Sequence, residues 1–133
     1  MALIEYLREE AEPRYRTALV GGIPVQWRTL TGDSRTDRAW ADVYRSFDVI
    51  SPWTVGGYGD ETGADIFKRQ LLIPDVEEAA EAGAGYMAVV WPGLSRRNAT
   101  AAMPLNSVPR NGGHFYWRQV HNAISAGAAS QTS

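Results

Sequence analysis

The chain has no cysteine among its 133 residues. Disulfide cross-links, zinc sites built on thiolates and thiol catalysis are therefore excluded. Its two histidines, His114 and His121, lie seven positions apart with no clear carboxylate as a third ligand. This pattern predicts residues on the surface of a helix instead of a metal site. We expect neither a metal nor a cofactor.

The chain also lacks a large excess of charge of either sign. Thirteen Lys and Arg residues against fifteen Asp and Glu residues give a formal net charge of −2, which argues against nucleic acid or an anionic membrane as the main partner. No apolar run is long enough to span a membrane. The first ten residues carry acids where a secretory signal needs bases and an apolar core. We therefore expect a soluble, cytoplasmic protein that acts on neither nucleic acid nor membrane.

Helical and strand-like patterns alternate over a length that fits one domain, predicted at residues 1–127, with a flexible small-residue tail at 128–133. Helices are predicted at residues 2–16, 37–46, 65–71, 75–82 and 114–126, with Pro74 as an interruption, and strands at 18–27, 48–51 and 86–90. The predicted inward-facing residues are Trp40, Val43, Tyr44 and Phe47 in the second helix and Phe115, Trp117, Val120 and Ile124 in the last. Strands separated by helices are normally parallel. The sequence therefore predicts an α/β fold with about three parallel strands, as in a barrel or a doubly wound sheet.

Aromatic and planar polar side chains cluster just after the predicted strands and at the start of the last helix. Aromatic faces beside planar hydrogen-bonding groups at the end of a buried strand suit a sugar. Arginine can donate two hydrogen bonds to vicinal hydroxyls or to a carboxylate. The candidate binding residues are Trp27, Arg28, Trp53, Tyr58, Trp91, Arg96, Arg97, Asn111 and His114. The alternative is that the rings belong to the core, the arginines are solvated and Asn111 caps the helix.

Three acids also follow predicted strands. Asp33 comes after the first strand, and Asp60 and Glu61 come after the second. Glycoside hydrolysis usually needs two carboxyl groups across the scissile bond, one protonated and one ionised. These acids are the candidate catalytic residues, and the alternative for each is an exposed loop acid or a helix cap.

Four segments in this order resemble a known enzyme family: residues 21–28 (GGIPVQWR), 48–56 (DVISPWTVG), 86–95 (YMAVVWPGLS) and 109–120 (PRNGGHFYWRQV). They are similar to the later part of bacterial glycoside hydrolases related to families 71 and 99, the endo-α-mannosidase relatives. The resemblance covers about residues 15–127. It implies that the chain is part of a (β/α)8-type barrel and that it is carbohydrate-active.

In the family that this chain resembles, a pair of glutamates three residues apart on the next strand carries out the hydrolysis. Glu78 and Glu81 have the same spacing, but they lie on a helix that precedes a strand, where their carboxylates are expected to face solvent. The resemblance therefore implies a glycoside hydrolase acting on O-glycosidic bonds through its strand-end loops, or alternatively a non-catalytic sugar-binding barrel fragment. Because a barrel fragment has open sheet edges, we also expect a homodimer or a higher homo-oligomer.

Overall fold

Five α-helices and three β-strands make up the computed structural model, which describes residues 2–128 except for the side chains of Ala2 and Asn98. The helices are α1 (Ala2–Glu5), α2 (Ala39–Arg45), α3 (Glu61–Phe67), α4 (Ile73–Glu81) and α5 (His114–Ser125), and the strands are β1 (Val20–Ile23), β2 (Val49–Pro52) and β3 (Gly85–Tyr86). Two π-helical segments, Tyr6–Glu10 and Lys68–Leu72, and three 3-10 turns, Pro13–Tyr15, Arg96–Asn98 and Asn111–Gly113, are also present. Of the tail predicted at residues 128–133, all but Ala128 lies outside the described residues. None of the helices within residues 2–128 has the length and apolar character needed to cross a membrane.

The three strands form one parallel sheet in the order β1-β2-β3. Val20 of β1 is in register with Val49 of β2, which is in turn in register with Gly85 of β3. Helix α2 connects β1 to β2, and α3 and α4 connect β2 to β3. The predicted α/β fold with three parallel strands is therefore confirmed. The sheet is open, with β1 and β3 at its edges.

Two strands are shorter than the sequence predicts. β1 does not reach residue 27, because the Asp33 carboxylate accepts the backbone N–H groups of Val25 and Gln26 at 2.7 and 3.0 Å. β3 likewise does not reach residue 90. Its neighbour β2 ends at Pro52, which has no N–H group with which to continue the ladder. A carboxylate acceptor thus ends β1, and a missing N–H donor on β2 ends β3.

The first helical segment ends earlier than predicted. It stops at Glu10 instead of residue 16, and Ala11 is extended, with a ψ angle of 148°. Ala11 is buried, and Pro13 begins the 3-10 turn that follows. Because the residue before a proline avoids helical geometry, the helix cannot continue through Glu12.

Pro74 does not interrupt the helical segment between β2 and β3, contrary to the prediction. The π-helical turn of residues 68–72 joins α3 to α4 directly, and Pro74 lies in the first turn of α4. Ile73 donates its N–H to the carbonyl of Lys68, five residues back. In a regular α-helix the carbonyl four residues before a proline would clash with the proline ring. The wider π-helical turn moves the preceding carbonyls away from that ring.

Within the described part of the chain, two hydrophobic clusters form the core. The larger contains the buried residues Ile23, Trp27, Tyr44, Ile50, Leu72, Val76, Ala79, Ala84 and Tyr86. The smaller contains Trp91, Val108 and Phe115, with Val55, Tyr58 and Leu94 packed against it. Of the residues predicted to face inward from α2 and the turn after it, Tyr44 is buried, Val43 and Phe47 are half-buried, and Trp40 is 38% exposed. The smaller cluster is built by segments that follow β2 and β3, so it underlies the loops at that end of the sheet.

Helix α5 buries a more polar face than its pattern predicts. Phe115 is buried as expected, but Trp117 and Ile124 are 66% and 63% exposed. Gln119 and Asn122 are buried in their place. Gln119 donates to the backbone carbonyl of Trp91, and Asn122 donates to the Asp65 carboxylate of α3 at 2.9 Å. Both buried amides therefore have hydrogen-bond partners inside the protein.

Candidate functional site

A cleft opens between the loops that follow β2 and β3. The first loop, residues 53–60, leads into α3, and the second, residues 87–110, leads towards α5. The cleft has a volume of about 460 Å³ and is lined by Gly56, Tyr58, Gly59, Arg96, Met103, Pro104, Ser107 and Val108. Loops after the carboxyl ends of parallel strands are where α/β folds place their ligand sites.

The first loop is held in place by a helix cap and a turn. Asp60 is the N-cap of α3, and its Oδ1 accepts the backbone N–H of Gly63 at 2.7 Å. Gly57 donates its N–H to the Thr54 carbonyl at 3.0 Å. Gly56 has a φ angle of 82°, a left-handed conformation that favours glycine. These constraints fix the wall of the cleft on the β2 side.

The second loop is closed at its neck by an isolated antiparallel bridge between Leu94 and Val108. Each residue donates its N–H to the other's carbonyl, at 3.0 and 2.9 Å. Gly93 is required beside this bridge, because a β-carbon there would lie 2.8 Å from the Val108 carbonyl oxygen. Within the closed loop, Arg96 donates its backbone N–H to Ser107 Oγ at 3.1 Å. The bridge therefore brings Arg96 and Ser107 together on one wall of the cleft.

An aromatic cluster lies behind the cleft. The Tyr58 ring packs against Phe67, Trp91 and Phe115, with centroid distances of 5.0, 5.4 and 5.9 Å. Gln119 of α5 joins this cluster through hydrogen bonds. Its Oε1 accepts the Tyr58 hydroxyl at 3.0 Å, and its Nε2 donates to the carbonyls of Trp91 and Phe115 at 2.8 and 3.0 Å. Both ends of the buried amide are therefore occupied, and they tie Tyr58 to the backbone of Trp91 and Phe115.

Tyr58 contributes a ring surface and not an acid or a base. Burial raises the pKa of Tyr58 to about 12, and hydrogen bonds to the side chains of Trp91 and Thr54 oppose this rise. The phenol is therefore neutral at physiological pH. Its hydroxyl points to Gln119, so the ring remains as the apolar wall available to a ligand.

Arg96 supplies the positive charge of the cleft. A β-carbon on Gly56 would lie 3.6 Å from one terminal nitrogen of its guanidinium group, so the group lies across the cleft against the first loop. Within residues 2–128 this guanidinium group has no hydrogen bond or ion pair. Its neighbour Arg97 is exposed but does not line the cleft. Of the two adjacent arginines, Arg96 is therefore the one positioned to contact a ligand there.

The three candidate catalytic acids do not line the cleft. Asp33 lines a separate pocket of about 290 Å³ beside β1, together with Trp40. Asp60 is engaged with the backbone of α3 as its cap. Glu61 lies half-buried in the first turn of α3, and its carboxylate has no hydrogen bond or ion pair with any described residue. The structure thus separates Asp33 from the two acids that follow β2.

Trp27 and Arg28 lie in a buried cluster instead of at the cleft. Trp27 is fully buried. The Nε of Arg28 donates to Oδ1 of Asp75 at 2.5 Å, and the Tyr86 hydroxyl donates to Oδ2 at 3.3 Å. Burial raises the pKa of Asp75, against the opposing effect of Arg28. Burial also raises the pKa of Tyr86, and the nearby Asp75 adds to that rise. The cluster attaches the segment after β1 to α4.

Trp53, Asn111 and His114 lie at the surface but do not line the cleft. Trp53 is 67% exposed directly after β2, so its ring faces solvent. Asn111 has a φ angle of 48° and opens the 3-10 turn that precedes α5. Gly113, not Asn111, is the N-cap of α5, without a capping side chain, and His114 is the exposed first residue of that helix.

The structure therefore brings together three of the predicted binding residues. Tyr58 and Arg96 line the cleft, and Trp91 is buried behind Tyr58. The sequence did not indicate Met103 or Ser107. They reach the cleft through the bridge between Leu94 and Val108, which no local sequence pattern predicts. Gln119 was also missed, since a single glutamine in an amphipathic helix carries no signal of burial.

Two further observations bear on the site. Within residues 2–128, no three His, Asp or Glu side chains are arranged so that they could hold a metal ion. No family model, curated protein or solved structure matches this chain.

Proposed function

We propose that this protein binds carbohydrate in the cleft lined by Tyr58 and Arg96. The observation that carries the proposal is the combination, in one cleft, of an aromatic wall and an unpaired guanidinium group. Sugars have apolar C–H faces and a rim of hydroxyls, so aromatic faces and planar hydrogen-bonding groups recognise them together. The volume of about 460 Å³ falls within the range of about 300–1,000 Å³ typical of small-molecule sites.

We also propose that the sheet is a three-stranded part of a (β/α)8-type barrel, as the resemblance to glycoside hydrolases implies. The parallel order β1-β2-β3, with helices between the strands, supports this assignment. In such a barrel the loops after the strands carry the ligand site. The position of the cleft agrees with this expectation.

Binding without turnover is the activity that the geometry favours. A hydrolase acting on O-glycosidic bonds needs two carboxyl groups facing one bond. Asp33 and Asp60 each accept backbone N–H groups, and Asp33 lines a different pocket. Of the three candidates, Glu61 is the one whose carboxylate has no partner among the described residues, so it is the first to test for hydrolysis.

A cleft-filling variant tests the binding site. A β-carbon at Gly59, which lines the cleft, would meet no atom within 4 Å, so we expect Gly59→Phe to place a ring in the cleft without a clash at its β-carbon. We expect this variant to weaken the binding of an oligosaccharide panel about tenfold or more in titration calorimetry, a loss of about 1.4 kcal/mol. Gly22→Phe is the matched control, because its β-carbon also meets open space but the ring enters the Asp33 pocket. Loss of binding in Gly22→Phe alone would place the site in that pocket and contradict the proposal.

A second assay separates binding from catalysis. We expect no hydrolysis of a panel of nitrophenyl glycosides by the purified protein. Turnover that disappears in Glu61→Gln would identify an enzyme and replace the proposal of binding alone. Asp60→Asn belongs in the same assay, because asparagine keeps the helix cap while removing the acid.

A further inference from the structure

Charge is unevenly distributed along the chain. All fifteen acidic residues lie within residues 1–81, and the four charged residues of the segment 82–133 are Arg96, Arg97, Arg110 and Arg118. The second loop of the cleft belongs to this segment, so it carries arginines and no acid. One wall of the cleft is therefore formed by a segment with no carboxylate of its own.

Three of these arginines have no charge partner. The guanidinium groups of Arg96, Arg97 and Arg110 make no hydrogen bond or ion pair with any residue of the described part of the chain. In the rest of the protein, Arg28 pairs with Asp75 and Arg45 pairs with Glu78 through contacts of 2.5 and 2.6 Å. The arginines of the second loop are thus unpaired although residues 1–81 hold fifteen acids against nine Lys and Arg residues.

The opposite wall does not neutralise Arg96. Asp60 and Glu61 are the acids that follow the first loop, and neither makes an ion pair with Arg96. The Asp60 carboxylate accepts the Gly63 N–H instead. Among the residues that line the cleft, Arg96 is the sole charged side chain, and its neighbours there include the apolar Met103, Pro104 and Val108.

We infer that the cleft binds an acidic carbohydrate, a glycan that contains uronic acid, and that the sugar carboxylate pairs with Arg96. This inference rests on the proposed function. A carboxylate matches the guanidinium group with two parallel hydrogen bonds and cancels its charge, whereas a neutral hydroxyl leaves that charge without a counter-charge. Arg97 and Arg110 on the same loop add a longer-range attraction for an anion.

The experiment compares two trisaccharides that differ only in charge. Trigalacturonate and its carboxyl-reduced, neutral form are titrated into the protein by calorimetry. We expect the acidic form to bind about tenfold more tightly or better at low salt, with the preference shrinking as ionic strength rises. Arg96→Gln removes the preference, and Arg96→Lys restores part of it because an ammonium group keeps the charge but loses the two-pronged geometry. Arg69→Gln, which removes an exposed arginine of the helical segment 68–72, leaves the preference unchanged.

The possible outcomes distinguish the binding of an acidic sugar from carbohydrate binding in general. Equal affinity for the two trisaccharides overturns the acidic ligand and leaves sugar binding intact. No binding of any saccharide overturns the proposed function and this inference together. A preference that survives in folded Arg96→Gln, verified by its thermal melting curve, overturns the role of Arg96. Equally tight binding of a single-stranded oligonucleotide of the same charge overturns sugar recognition in favour of a general affinity for polyanions.

Discussion

Asp75 shows how one residue can couple a loop to a helix. Its side chain is 1% exposed, and its two oxygens accept hydrogen bonds from Arg28 and Tyr86. A carboxylate removed from water is costly unless such partners compensate it. Burial nevertheless outweighs the pairing, so the pKa of Asp75 is raised.

This shift predicts a pH-dependent contribution to stability. The unfolded chain releases the Asp75 proton near pH 3.8, whereas the folded protein keeps it to a higher pH. The stabilisation that protonated Asp75 contributes is therefore complete below pH 3.8. It is lost as the pH rises through the pKa of Asp75 in the folded protein. We expect the free energy of unfolding of the wild type, minus that of Asp75→Asn, to fall with rising pH above this value in urea denaturation. A difference that grows with pH would mean that the pairing with Arg28 dominates over burial.

At the scale of single residues, the sequence suggests candidate residues more readily than it predicts where each of them lies. Tyr58 and Arg96 stood out because they follow strands and suit a sugar, but so did Trp27 and Arg28. Whether such a side chain ends in a cleft or in the core depends on how the chain turns after the strand. That turn is set by contacts distant in sequence, such as the hydrogen bond from Arg28 to Asp75, 47 positions apart. No local sequence pattern predicts such contacts.

Within β1, two adjacent glycines meet very different surroundings. A β-carbon at Gly21 would lie 2.3 Å from Cδ2 of the Phe47 ring, which packs against the strand. A β-carbon at Gly22 would meet no atom within 4 Å. Successive residues of a strand point to opposite faces of the sheet. Gly21 therefore faces the Phe47 ring, and Gly22 faces open space.

The two glycines therefore provide a matched pair of variants. We expect Gly21→Ala to destabilise the protein by about 1–3 kcal/mol, because the half-buried Phe47 ring must move away from the strand. Gly22→Ala is expected to be neutral or to stabilise by up to about 1 kcal/mol, because it restricts the unfolded chain without a clash. Chemical denaturation of both variants measures the difference. Equal effects in the two would show that Phe47 does not press on the strand.

At the scale of elements, the sequence predicts the order of helices and strands well and their ends poorly. Hydrophobic pattern and turn residues were sufficient to place β2, which is shifted by one residue. The ends of β3 and the inward face of α5 depend on partners elsewhere in the chain. Gln119 is buried because it hydrogen-bonds to the backbone of Trp91, a contact between residues 28 positions apart. Periodicity alone assigns such an amide to the surface.

At the scale of the whole molecule, the sheet formed within residues 2–128 is open, with β1 and β3 at its edges. A groove of about 400 Å³ runs between β3 and α5 and is lined by apolar residues that include Met87, Val120 and Ile124. Met87 and Ile124 are 49% and 63% exposed. Unpaired strand edges beside exposed apolar surface favour association with another chain.

We therefore expect a homodimer or a larger homo-oligomer at micromolar concentration, measured by light scattering coupled to size-exclusion chromatography. A charge in the groove, introduced by Ile124→Glu, is expected to shift the population to monomer because it cannot be buried without a partner. Leu3→Glu is the control, since Leu3 is a similarly exposed aliphatic residue (69%) on α1. A wild-type protein that is monomeric under these conditions would contradict the expectation.

The bridge between Leu94 and Val108 has a consequence for how this protein could change over evolution. The two hydrogen bonds hold both ends of residues 95–107 together, whatever lies between them. Doubling the length of such a closed segment costs only about 0.6 kcal/mol in chain entropy. The segment that carries Arg96 and Ser107 can thus be lengthened, shortened or exchanged with little strain on the sheet. Ligand preference can diverge in this segment while the scaffold stays the same.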